Sequence, residues 1–109
     1  MSKPRESSPE GKGQLSIRLP EDLKEALESE SRKQGRSRNW LIENCMSNFY
    51  TKRPKPVSWS IFDEPFTHST SVSATNNLIA SIKADARSSD RTVNQYVNWI
   101  LRHYFPKGE

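Results

Sequence analysis

The 109 residues predict a mostly α-helical protein carrying a short β-ribbon: two β-α-α units in tandem, joined as an intrachain pseudo-dimer by a two-stranded antiparallel ribbon. Three observations predict it. Residues 14–19 alternate strictly between polar and apolar, two helical apolar stripes follow, and the whole pattern recurs at an offset of 55 residues. Composition agrees, because 32% hydrophobic and 28% charged residues leave little for a large independent core. A half-chain of about 50 residues buries too little surface to be stable alone, so the halves must pair with each other or with another chain.

In the stretch Gln14-Leu15-Ser16-Ile17-Arg18-Leu19, apolar Leu15, Ile17 and Leu19 alternate with polar Gln14, Ser16 and Arg18. Period two is the mark of a strand with one buried face. Pro20 ends it, since proline offers no ladder donor but suits a helix start. Glu21 and Asp22 then put negative charge where a helix N-terminus favours it. A first helix is predicted over about residues 21–34, with Leu23, Ala26 and Leu27 on one face. Gly35 suits a left-handed closing residue, and Ser37 caps a second helix over about residues 38–50. Leu41, Ile42, Cys45, Met46 and Phe49 form its stripe.

Adding 55 carries Ser16 to Ser71, Ile17 to Val72, Leu23 to Leu78, Leu27 to Ile82, Arg32 to Arg87, Ser37 to Thr92, Asn39 to Asn94 and Phe49 to Tyr104 with no gap. Physical roles persist where residues differ. Gly35 becomes Asp90, which tolerates the left-handed region. Thr92 with Gln95 makes a capping box, and Pro20 becomes Thr75, another helix starter. The predicted organisation is a disordered arm at 1–13, a first unit at 14–50, a linker at 51–65 and a second unit at 66–105. Three prolines mark the linker, and its Trp59, Ile61 and Phe62 are expected to pack on the body or to bind a partner.

One strand has no ladder partner, so the two strands are expected to pair antiparallel with the helices covering one face. The inward face takes Leu15, Ile17, Leu19, Val72 and Ala74. Outward lie Gln14, Ser16 and Arg18 from one strand and Ser69, Ser71 and Ser73 from the other. A two-stranded ribbon fits the major groove of B-DNA. There arginine pairs with guanine, glutamine with adenine, and serine with either type of edge. Base contacts are therefore assigned to these six residues. The starts of the two second helices present free N–H groups to phosphate, surrounded by Arg36, Ser37 and Arg38 in one unit and Arg91 and Thr92 in the other. Lys12, at the end of the arm, is a further phosphate candidate. The formal net charge of +4 favours a polyanionic partner. All of the excess sits in residues 1–56, which hold 12 Lys/Arg against 8 Asp/Glu.

The run Gln14-Leu-Ser-Ile-Arg18-Leu-Pro20, followed by Gly35-Arg-Ser-Arg-Asn39, resembles the ribbon-helix-helix (Arc/MetJ) superfamily, the Arc-like repressors in particular. The resemblance implies a transcriptional regulator, a repressor encoded by a phage or plasmid, binding double-stranded DNA. It implies that Gln14, Ser16 and Arg18 read bases while Gly35 to Asn39, Asn39 included, anchor the backbone. The second half departs from it, with a Ser-x-Ser-x-Ser face and an Asp-Arg-Thr turn. Tandem organisation is similar to that of TraY-like conjugation accessory factors, which is the alternative role. An antitoxin reading ranks lower, because only Pro106 to Glu109 follows the last helix; a protein–protein adaptor using the linker aromatics is the reading of a different class.

No enzyme constellation is visible, and no cofactor, metal or small-molecule ligand is expected. His68 and His103 lack metal-ligand spacing. Cys45, the only cysteine, aligns with Ile100 and reads as core, which suits a reducing cytoplasm. Trp40, Trp99 and Tyr104 lie on apolar helix faces, as core or interface residues. Arg32 and Arg87 are expected to pair with Glu28 or neighbouring acids at the surface. With no apolar run long enough to span a membrane and no signal peptide, a soluble cytoplasmic protein is expected, with self-association on DNA as a further expectation.

Overall fold

A computed structural model describes residues 11–57 and 65–106. The elements are β1 (Lys12–Leu19), α1 (Glu21–Gln34), α2 (Arg38–Lys52), β2 (His68–Thr75), α3 (Asn76–Ser88) and α4 (Val93–Tyr104). The strand–helix–helix order thus occurs twice. β1 begins two residues earlier than its alternation indicated, so Lys12 and Gly13 belong to the ribbon and not to an arm. α2 runs two residues past its expected end. Trp59, Ile61 and Phe62 lie outside the described residues.

β1 and β2 form one antiparallel two-stranded sheet in which Ser16 faces Ser71. These two residues are also related by the offset of 55 seen in the sequence, so the local two-fold axis of the ribbon passes between them. On the inner face Leu15, Ile17, Leu19, Val72 and Ala74 are all at most 5% exposed. They meet Leu23, Leu27, Ile42, Met46, Ile82, Val97, Ile100 and Leu101 in one hydrophobic cluster. Burying each large aliphatic side chain contributes about 1.5–3 kcal/mol, and no half of the chain assembles this cluster alone.

Local chemistry accounts for the element ends. Gly35 closes α1 at φ 66°, and Asp90 takes the same left-handed region at φ 61°. At both places the following arginine N–H donates back to a carbonyl five residues earlier, Arg36 to Ser31 O (3.1 Å) and Arg91 to Ala86 O (2.8 Å). Ser37 caps α2 by accepting the Trp40 N–H (3.0 Å), and Thr75 caps α3 by accepting the Leu78 N–H (3.2 Å). Thr92 and Gln95 form the reciprocal capping box of α4, both bonds at 3.0 Å.

The halves interlock. α2 packs on β2 and α4 on β1, and α2 and α4 pack on each other. Between the latter two helices Phe49 meets Trp99 edge-on (centroids 5.4 Å apart) and the His103 ring (5.0 Å). The end of the described linker is latched here. Trp99 Nε1–H donates to Val57 O (2.8 Å) and the Val57 N–H donates to His103 Nε2 (3.3 Å), while His103 Nδ1 sits 2.8 Å from Trp99 O. Arg102, only 2% exposed, crosses from α4 to α1 and donates twice to Asp22, both bonds at 3.0 Å.

Candidate nucleic-acid interface

The outer face of the ribbon follows from the pleat. Cross-strand bonds such as Thr67 N–H to Leu19 O (2.9 Å) and Asn76 N–H to Gly11 O (2.8 Å) fall on odd-numbered residues of the first strand. Gln14, Ser16 and Arg18 therefore occupy the non-hydrogen-bonded positions, opposite Ser73, Ser71 and Ser69. At such positions opposed side chains stand closest, and the backbone N–H and C=O point sideways. Five of the six outer residues are exposed and Ser73 is half-buried. Ser16, Arg18, Ser69 and Ser71 border a shallow open depression, with the inward-facing Ile17 and Thr70 at its floor.

The sideways backbone groups of a two-stranded sheet need partners on both edges. Two asparagines supply them in equivalent fashion. Asn39 Oδ1 accepts the Ser73 N–H (2.8 Å), and Asn94 Oδ1 accepts the Arg18 N–H. Both asparagines lie at the start of a second helix, so each helix start is fastened to the strand of the other half. The side chain of Asn39, which the resemblance assigned to phosphate, is thus engaged with β2.

Arg18 is held on its other side as well. Asn98, fully buried, donates from Nδ2 to Arg18 O (2.9 Å) and to Asn94 O (2.8 Å). The position equivalent to Asn98 in the first half is Glu43, which instead pairs with Lys12 Nζ at 3.2 Å. Lys12 is accordingly an exposed strand residue tied to α2. Local spacing gave no sign of Asn98, but the pairing of Asn39 with Asn94 was visible as a polar residue kept at one place in both halves.

Around the helix starts, Arg36, Ser37, Arg91 and Thr92 are exposed and Arg38 is half-buried. The Arg36 guanidinium lies 4.4 Å over the Trp40 ring. Arg38 Nη1 lies 3.2 Å from Glu28, which also reaches Lys24 at 3.7 Å. Glu28 thus pairs with Arg38 and Lys24 and not with Arg32. Burial pushes the Cys45 thiol up to about 12 and keeps it a core group. Burial, with a 2.7 Å bond from its hydroxyl to Asp85, raises Tyr50 as well. Among the described residues no group of three His, Cys, Asp or Glu side chains is placed to hold a metal ion. No helix among them is long and apolar enough to cross a membrane.

A two-stranded antiparallel ribbon backed by helices, with polar side chains outward and basic helix starts at its flanks, defines a class of nucleic-acid-binding scaffold. Residues 14–52 match the family model described as ribbon-helix-helix protein, copG family. The matched segment comprises all of β1 but its first two residues, together with α1 and α2. No curated protein and no solved structure matched the chain.

Proposed function

We propose that the protein is a sequence-specific regulator of transcription, a repressor, that inserts the β1–β2 ribbon into the major groove of double-stranded DNA. In this reading β2, α3 and α4 are a second ribbon-helix-helix unit, and the single chain acts as a pseudo-dimer. The observation that carries it is the register: the ribbon pairs about Ser16 and Ser71, the positions that the 55-residue offset makes equivalent. Gln14, Ser16, Arg18, Ser69, Ser71 and Ser73 are the base-contacting residues. Arg36, Ser37, Arg38, Arg91 and Thr92 flank them as phosphate contacts, with Lys12 and the backbone of Asn39 at the near edge.

The two reading strands differ, Gln-Ser-Arg against Ser-Ser-Ser, so the target is asymmetric. Arg18 supplies a bidentate contact to a guanine, the strongest discrimination on this face. Its backbone is fixed by Asn94 and Asn98 before DNA arrives, which lowers the ordering cost of that contact. Selection of bound sequences from a random duplex pool tests the proposal. The expected result is a short non-palindromic consensus containing a guanine that drops out with Arg18→Ala. A pool that shows no enrichment at low salt sinks the specific-reader function, and a symmetric consensus argues that two whole chains pair on the site.

A further inference from the structure

Resting on that DNA-binding function, we propose that the cleft between α3 and α4 is a one-sided clamp for the DNA sugar-phosphate backbone beside the base contacted by Arg18. Its cations are Lys83, Arg87 and Arg91, and Lys83 and Arg87 are new to the interface. The cleft encloses about 550 Å³ and is open to solvent, with Asp90 the single acid among its lining residues. Lys83 and Arg87 are exposed, and neither has an ion-pair partner among the described residues. Arg87, expected from the sequence to pair with an acid, is therefore available to an external anion.

The first half does not repeat this set of cations. The residue equivalent to Lys83 is Glu28, which binds Arg38 at 3.2 Å and Lys24 at 3.7 Å. One substitution between the halves thus replaces a cation by an acid that occupies its neighbouring cations. The position of the cleft gives it a role. Asn94, which follows the cleft residues Thr92 and Val93, accepts the Arg18 N–H, so the α4 wall of the cleft flanks the Arg18 end of the ribbon. The Gln14 end is flanked by α2 through Asn39 and Ser73. Phosphates leaving the groove at the Arg18 end meet three cations beside the most discriminating base contact. Exposed cations lose little hydration on meeting phosphate, and each one releases a condensed counterion from the duplex.

The test is a salt titration of affinity, read by fluorescence anisotropy on a labelled mixed-sequence duplex of about 30 base pairs, three helical turns. Between about 50 and 200 mM salt, Lys83→Ala and Arg87→Ala should each lower the slope of log K against log salt by about one unit, and the double variant by about two. The loss should be alike for duplexes of different sequence. Arg87→Lys should keep the wild-type slope, and Arg32→Ala, the equivalent change in the first half, should lower it by less than Arg87→Ala. Circular dichroism melting should show the double variant folded, since both side chains are exposed. If the wild type binds and the double variant keeps its slope, or if Arg32→Ala and Arg87→Ala cost the same, the one-sided clamp is wrong and the DNA-binding function stands. If the wild type binds no duplex at low salt, both fall.

Discussion

Replacing Asp22 by alanine should be among the most damaging changes that can be made at a half-exposed position of this protein. The Arg102 side chain is 1% exposed, whereas that of Asp22 is 46% exposed. Its guanidinium donates to both carboxylate oxygens at 3.0 Å, with a further 3.4 Å contact from Nη1 to Phe105 O. Asp22→Ala removes both of these bonds from a cation that stays buried. Truncating one member of a fully buried pair costs about 3–5 kcal/mol. Water can enter beside the half-exposed site of Asp22, so the lower end applies, about 3 kcal/mol. That is a large share of the roughly 5–15 kcal/mol that holds a domain of this size together. Urea unfolding at equilibrium measures it as a shift in midpoint at an unchanged denaturant slope. The control is the double variant Asp22→Ala with Arg102→Met, which removes the buried charge while filling its volume, and which should recover most of the loss. A cost below about 1 kcal/mol for Asp22→Ala, or a double variant no better than the single, would refute the buried-charge argument.

Three further outcomes are expected. Arg18→Ala should weaken binding to the selected duplex by about 1–3 kcal/mol and flatten the preference at one base pair, measured by competition with single-base variants; an unchanged preference removes Arg18 from the reading face. Because β1 pairs with β2 of the same chain, the melting temperature should stay constant over about a hundredfold range of protein concentration, and a rise with concentration would mean that chains exchange halves. The Cys45 thiol, 7% exposed and raised from 9.0 to about 12, should resist iodoacetamide at pH 8 in the native state and react once urea unfolds the chain. The linkage has a definite sign: the folded-state value lies above the unfolded one, so this contribution to stability is intact below pH 9 and is lost as the pH rises from there towards about 12.

The parts of this fold legible in the sequence are those written in neighbouring residues. Alternation over residues 14–19, the stop at Pro20, the left-handed Gly35 and Asp90 and the Thr92–Gln95 box each depend on residues a few positions apart. Cross-connections were not legible in this way. Asn98 meets Arg18 and Arg102 meets Asp22 across 80 residues, and no local period marks either partner. Arg102 in particular sits in the run Trp99-Ile100-Leu101-Arg102, equivalent to Ser47 in the first half, so the repeat gave no hint that the position mattered. The internal partners of Lys12 and of the Asn39 side chain, Glu43 and the Ser73 N–H, are likewise distant in sequence and carry no local mark.

On the proposed reading of the chain as two joined units, the joining also accounts for the differences between them. In a dimer of identical units every substitution appears on both sides of the two-fold axis, so any gain at one end of the ribbon is tied to its mirror effect at the other. A single chain lifts that constraint. The equivalent pair Glu43 and Asn98 has diverged so that one holds Lys12 while the other holds the Arg18 backbone. Glu28 and Lys83 have diverged so that one neutralises its neighbours while the other lines an open cationic cleft. Both divergences favour the Arg18 end. The inner face stays largely apolar, with Leu15, Ile17, Leu19, Val72 and Ala74 filling one core, although Thr70 stands at the place equivalent to Leu15 and Ala74 at that of Leu19. Asymmetry therefore collects on the surface that faces outward, where the proposed asymmetric target would use it, and the shared core beneath it keeps the ribbon in register.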